Sequence, residues 1–282
     1  MQTTPSREPR TAILALTAFL AILVILSPSP AAAQGGPPNW PPELKNLQIF
    51  SPDTPPAELI DKMKGFTAAL GVRCQFCHVG EEGQPIFTFD FASDEKPEKE
   101  AARLMLRMVQ SINEDHLSKL EGDEPVLEVQ CITCHRGTAH PEQLHDLLVR
   151  VATTDGANAA VAKYAELRER HYGGQSYDFA EQTLVRAAGM LAVKGDVETA
   201  SSLIQLNLEH FPESAMTFGA LAQLRQLQGD NEAAIVALKK VLELEPENGR
   251  VQAMLQELQE LQKAQEIEQM EGSEEESGEP KR

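Results

Sequence analysis

The chain has 282 residues, with 43 acidic against 25 basic side chains and a formal net charge of -18. That balance argues against nucleic acid as a partner, because phosphate binding needs a basic face, and it favours a partner with a basic surface. Aromatic residues make up only 5 % of the chain, so a core of Phe, Tyr and Trp alone would be thin, and a large bound cofactor would help to fill it.

The first 33 residues read as an export signal. Arg7 and Arg10 precede an apolar run from Ala12 to Leu26 that only Thr17 interrupts, and Ala31-Ala32-Ala33 supplies small residues for cleavage before Gln34. The run is short for a bilayer span. This places the mature chain in the periplasm or another extracytoplasmic space, or on the membrane if the signal is not cut. No Cys lies near Ala33 to take a lipid anchor. Residues 34–43, Pro-rich from Pro37 to Pro42, form an extended spacer.

A first domain is expected over residues 44–145. Its first helix should start near Pro55 or Pro56, with Thr54 as N-cap, carry Leu59, Ile60, Met63, Phe66 and Leu70 at helical spacing, and stop at Gly71. The second should begin after Asp94 with Pro97 in its first turn, its apolar stripe running through Ala101, Met105, Met108, Val109 and Ile112.

All four cysteines lie in two motifs, Cys74-Gln75-Phe76-Cys77-His78 and Cys131-Ile132-Thr133-Cys134-His135. This spacing suits covalent haem. Two thiols add across the two haem vinyl groups to give thioethers, the two-residue gap lets both reach one porphyrin edge, and the adjacent His turns back as proximal iron ligand. Two covalently bound haem c groups are therefore expected, on Cys74, Cys77, Cys131 and Cys134, with His78 and His135 on the irons. Disulfides or a zinc site would leave both histidines unexplained. For the sixth ligand, Met63 is favoured at the first haem, since it sits on the helix before that motif. At the second, Met105 and Met108 stand three apart on one face and spacing does not separate them. His116 and His140 are rival ligands that would give a bis-His iron.

Residues 157–263 are expected to form a helical domain with an internal repeat. Gly195-Asp196 recurs as Gly229-Asp230, Ala200 as Ala234, and Phe211-Pro212-Glu213-Ser214 as Glu245-Pro246-Glu247-Asn248, each offset by 34 residues, the tetratricopeptide period. Helices at 157–170 and 250–263 should complete the stack. Residues 264–282, rich in Glu, Ser and Gly, are expected to form an acidic disordered tail. The expected fold class is all-α: a dihaem c-type cytochrome domain of short helices and loops followed by tetratricopeptide-like repeats.

From Asn46 to Pro141 the chain resembles the cytochrome subunit of photosynthetic reaction centres. The resemblance rests on Asn46-Leu47-Gln48, the Met63 helix before the first motif, the run from Ala102 to Met108 continuing to Ile112-Asn113, and Cys131 to Thr138. In that family a Met on the helix before each motif is the distal ligand of most haems. The resemblance thus implies Met63 and Met105, and it selects Met105 over Met108. The family's subunit is known for four haems, whereas this chain has two motifs. The implied function is electron carriage between redox donor and acceptor proteins, to or from a membrane reaction centre or a respiratory complex. A dihaem peroxidase or reductase with one open iron is the enzymatic alternative. A third reading makes the repeats a protein-docking adaptor with the haems as a relay.

Overall fold

The computed structural model describes residues 43–120 and 127–277, with side chains to residue 267. The expected signal peptide and almost all of the Pro-rich spacer lie outside the described residues. Among those described the fold is all-α, with ten α-helices and no strand.

Helix α1 (Pro56–Leu70) starts on Pro55, whose fixed φ suits a helix entry, and ends at Gly71 in the left-handed region at φ 66°. Thr54 is not its N-cap. Its backbone N–H instead donates to the Ser51 carbonyl in the turn before the helix. Helix α2 (Pro97–Ser111) widens into a π-turn at Ile112–His116 and then tightens into a 3-10 turn at Leu117–Lys119. Helix α3 (Cys131–His135) is a little over one turn long and is the second motif itself.

Then follow α4 (Leu144–Asp155), α5 (Ala157–His171), α6 (Glu181–Val193), α7 (Val197–His210), α8 (Ala215–Leu227), α9 (Asn231–Leu244) and α10 (Gly249–Ser277). The start and end of α6 and α7 recur 34 residues later as those of α8 and α9. The caps recur with them. Asp196 accepts from the Thr199 N–H and Asp230 from the Ala233 N–H, after Gly195 at φ 88° and Gly229 at φ 75°. Ser214 caps α8 through the Thr217 N–H, and Asn248 caps α10 through the Val251 N–H.

Two sequence expectations need correction here. The boundary at residue 145 cuts through α4, whose Leu144, Leu147, Leu148 and Ala152 are buried against α5 and α6. The helical array therefore begins at Leu144, and α4 supplies the partner that α5 needs. The acidic tail was expected to be disordered from residue 264, yet α10 runs on to Ser277. Its first turns are anchored by Val251, Met254, Leu255 and Leu258 on α8 and α9. The residues beyond are mostly Gln, Glu, Lys and Ala, good helix formers with no proline before Pro280, so the helix propagates.

The core is distributed unevenly. Beyond residue 143, buried Leu, Ile, Val and Ala side chains fill α4 to α9. Before it, Leu59 and Ala69 are the only described apolar residues that are buried.

Candidate haem-attachment sites

Both motifs are wound as a single helical turn, which puts cysteines three apart on one side with the histidine next to the second. In the first, Cys74–Phe76 form a 3-10 turn entered from an extended Arg73, and the His78 N–H donates to the Cys74 carbonyl at 3.0 Å. In the second, the Gln130 N–H donates to Thr133 Oγ1 at 3.1 Å and the Thr133 N–H to the Gln130 carbonyl at 3.0 Å, which fixes the start of α3.

The two histidines are held differently. His135 Nδ1 lies 2.9 Å from the Thr138 carbonyl. A carbonyl can only accept, so Nδ1 carries the proton and Nε2 is left with its lone pair, the form in which imidazole binds a metal. Arg136 at φ 48° and Gly137 at φ 87° make the turn that brings Thr138 back. The His78 ring stands edge-on to Phe91 with centroids 5.0 Å apart, and it also meets the Phe91 backbone in a hydrogen bond. Burial, then the charge of Lys99, holds His78 below the ordinary imidazole range; Arg103 and Lys96 act in the same sense and the Phe91 backbone opposes them. A neutral ring is what a metal ligand requires. Burial is also the main cause that raises the Cys77 and Cys131 thiols above the usual range, with Glu98 adding to it at Cys77.

Three contacts tie these motifs to the scaffold. The Gly137 N–H donates to the Ala69 carbonyl at 2.8 Å, so α1, which leads into Cys74, also packs on α3. The approach is so close that a Cβ on Gly71 would lie 2.1 Å from the Gly137 oxygen. Asn113, just past α2, clamps Val129 from both sides: its Nδ2 donates to the Val129 carbonyl at 2.9 Å, and its Oδ1 accepts the Val129 N–H at 2.8 Å. Ser176, between α5 and α6, donates to the Arg136 carbonyl at 2.7 Å.

A polar network that the sequence reading missed braces the first site. Lys99 Nζ donates to the carbonyls of Phe91, Ala92 and Ser93 and pairs with Asp94 at 2.9 Å. Arg103 bonds Asp94 at 2.8 Å and Glu100 at 3.0 Å. Asn46, at φ 59°, donates to the Ala92 carbonyl, and Gln48 reaches Asp94. This explains Asn46-Leu47-Gln48 physically: the segment is stitched to a loop 46 residues away. Lys96 Nζ donates to the Gln75 carbonyl inside the motif. A groove of about 630 Å³ separates Gln75-Phe76 from the first turn of α2.

The stripe on α2 corrects another expectation. It does not close a core of its own. Met105 is 44 % and Met108 47 % exposed, Leu104 is exposed beside them, and the one buried side chain of α2 is Arg103. Ile86, Phe87, Leu120, Leu127 and Ile132 are exposed in the same segment. Apolar side chains left open around two thiol-and-imidazole turns fit large flat apolar groups lying against them. Met63 is half-buried on α1, while His116 in the π-turn and His140 after α3 are exposed. All four cysteines are free, and among the described residues no three His, Cys, Asp or Glu gather into a metal cluster, so the two Cys pairs do not meet in a four-thiolate zinc site.

The chemistry of this arrangement is that of a c-type cytochrome. The sequence profile of the photosynthetic reaction centre cytochrome C subunit matches residues 24–231. Cytochrome c-554 of Chloroflexus aurantiacus is 44 % identical over 69 residues, which are 24 % of this chain and 14 % of that protein. The chain thus spans only a small part of that relative's length. With about three quarters of its residues matched by the profile, the chain belongs to the photosynthetic reaction centre cytochrome C subunit family. This is a class of electron-transfer proteins with covalently bound haem c, not of enzymes, which sets aside the peroxidase or reductase alternative. The match runs beyond the cysteine-bearing segment, through α4 to α8. No helix among the described residues is long and apolar enough to cross a membrane.

Proposed function

We propose that the chain is an extracytoplasmic dihaem electron carrier that exchanges electrons with a membrane redox complex. In this reading Cys74 and Cys77 hold one haem and Cys131 and Cys134 the other, with His78 and His135 as proximal ligands and Met63 and Met105 as distal ones. The bound haem iron supplies one-electron exchange between its ferrous and ferric forms. The protein's part is to orient the ligands and exclude water. The Thr138 carbonyl accepts a hydrogen bond at His135 Nδ1, and burial and the charge of Lys99 favour the neutral ring of His78. Two haems within about a hundred residues must lie close, so electrons can pass between them.

The observation that carries the reading is the open apolar face of α2 beside two Cys-His turns in a segment that lacks a core of its own. The helix pairs from α6 to α9, with their 34-residue step, support a tetratricopeptide-like array that docks a protein partner. A leader that directs export fits the same reading.

Intact mass of the mature exported protein tests the cofactor count: two added haem masses are expected, and a chain without them ends the proposal. Reduced-minus-oxidised spectra of Met63→Ala and Met105→Ala then test the distal ligands. Each variant should lose Met ligation at one haem only.

A further inference from the structure

Among the described residues, largely buried cations stand beside the first motif and not beside the second. The side chain of Lys99 is 12 % exposed and that of Arg103 8 %. The Lys99 ammonium lies 2.9 Å from the Phe91 carbonyl, and Phe91 is the residue whose ring meets His78. Lys96 adds a third positive charge on the Gln75 carbonyl, within the motif. The counter-charges are more open to water: Asp94 is 42 % and Glu100 52 % exposed, so solvent screens them more than the cations they face. Glu98 acts on the Cys77 thiol. Both histidines meet a backbone group, Phe91 at His78 and the Thr138 carbonyl at His135, but the cation adjacent to His135, Arg136, is exposed.

We infer that Lys99 and Arg103 raise the reduction potential of the haem held by His78, so that an electron shared between the two haems settles on the first. The inference rests on the dihaem reading above. Loss of one electron leaves one more positive charge at the first site, and two buried cations nearby make that loss costlier. Among the described residues no comparable pair of buried cations lies at the second site. Electrons delivered to the second site would then pass to the first and leave from there to an oxidised acceptor.

Spectroelectrochemical titration of the full-length holoprotein, with dithionite as reductant and ferricyanide as oxidant, tests this. Wild type should titrate in two steps. Lys99→Met should lower the higher step, so that the reduced-to-oxidised ratio at the wild-type midpoint falls severalfold, and should leave the lower step in place. Lys99→Arg keeps the charge and should move neither step. Asp94→Asn removes a counter-charge and leaves both cations, so it should raise the higher step.

The opposite signs separate charge from scaffolding. Lys99→Met and Asp94→Asn break the same ion pair, so a purely structural role would move the potential the same way in both. Shifts of equal sign, no shift in either variant, or a shift confined to the lower step overturn the inference. If Lys99→Met does not load haem, Asp94→Asn decides alone: an upward shift supports the inference, and a downward or absent shift ends it. Intact mass of each variant keeps the two readings apart. A chain with one haem breaks the dihaem reading, while the signs of the two shifts still report on Lys99.

Discussion

The segment before Leu144 and the helical array after it solve the same problem in opposite ways. The array buries its own apolar side chains: Leu148, Leu184, Leu203 and Ile204 have no exposure at all. The earlier segment is of similar helical content in places, yet of its described apolar residues it buries two and leaves Leu104, Met105 and Met108 open. A stretch of about a hundred residues with so little interior lacks the burial that offsets chain entropy, and a covalently held group is one of the few remedies. The comparison teaches that a helix with a good apolar stripe need not be looking for another helix.

The largest effect expected from this contrast follows from withholding the cofactor. Chain made without haem maturation should lose amide protection over residues 43–143 and keep it over α4 to α9, as read by hydrogen exchange. Equal protection in both regions would break the comparison. Next in size, Leu148→Ala should destabilise the array by about 2–5 kcal/mol, because it opens a cavity in a closed core. Thermal melting by circular dichroism checks this, and the haem bands of the holoprotein should stay unchanged below the transition.

Gly71→Ala acts at the junction of α1 and the second motif. Its φ of 66° alone costs about 1–2 kcal/mol for a residue with a Cβ, and the Gly137 carbonyl must also move away. Denaturant unfolding of the holoprotein should show the loss, and the haem spectrum of the second site should shift with it. The smallest effect is that of pH on Asp94. Arg103 holds its carboxyl well below the usual range, near 3.9 when unfolded. Its contribution is therefore whole above about pH 4 and is lost as pH falls through the lower folded value. Asp94→Asn should be less stable than wild type at neutral pH, with the gap closing in strong acid, as read from denaturant midpoints across pH.

Much of the array could be read from the sequence because its signals are local. Gly-Asp turns, the recurring Ala200 and Ala234, and a proline after each second helix all act within a few residues, and α6 to α9 fall where those marks place them. Helix α4 escaped because the reading ended the first segment just past the second motif, although Leu144, Leu147, Leu148 and Val151 carry a helical spacing. At the candidate site the cysteines and histidines were legible from spacing alone. The brace around them was not. Asn46 and Ala92, or Asn113 and Val129, are distant in sequence, and no local pattern announces a hydrogen bond across 46 or 16 residues. Periodicity also told which side of α2 is apolar but could not tell what covers it.

The caps of α7 and α9 repeat to within 5°, Asp196 at φ -87°, ψ 68° and Asp230 at φ -87°, ψ 73°. A unit that ends as it begins can be copied end to end. Duplicating residues 181–214 should therefore lengthen the array by one rung and carry whatever sits at its far end farther from the cysteine turns, without disturbing either terminus. The array is in this sense a ruler, and its graduations are the glycine-aspartate corners.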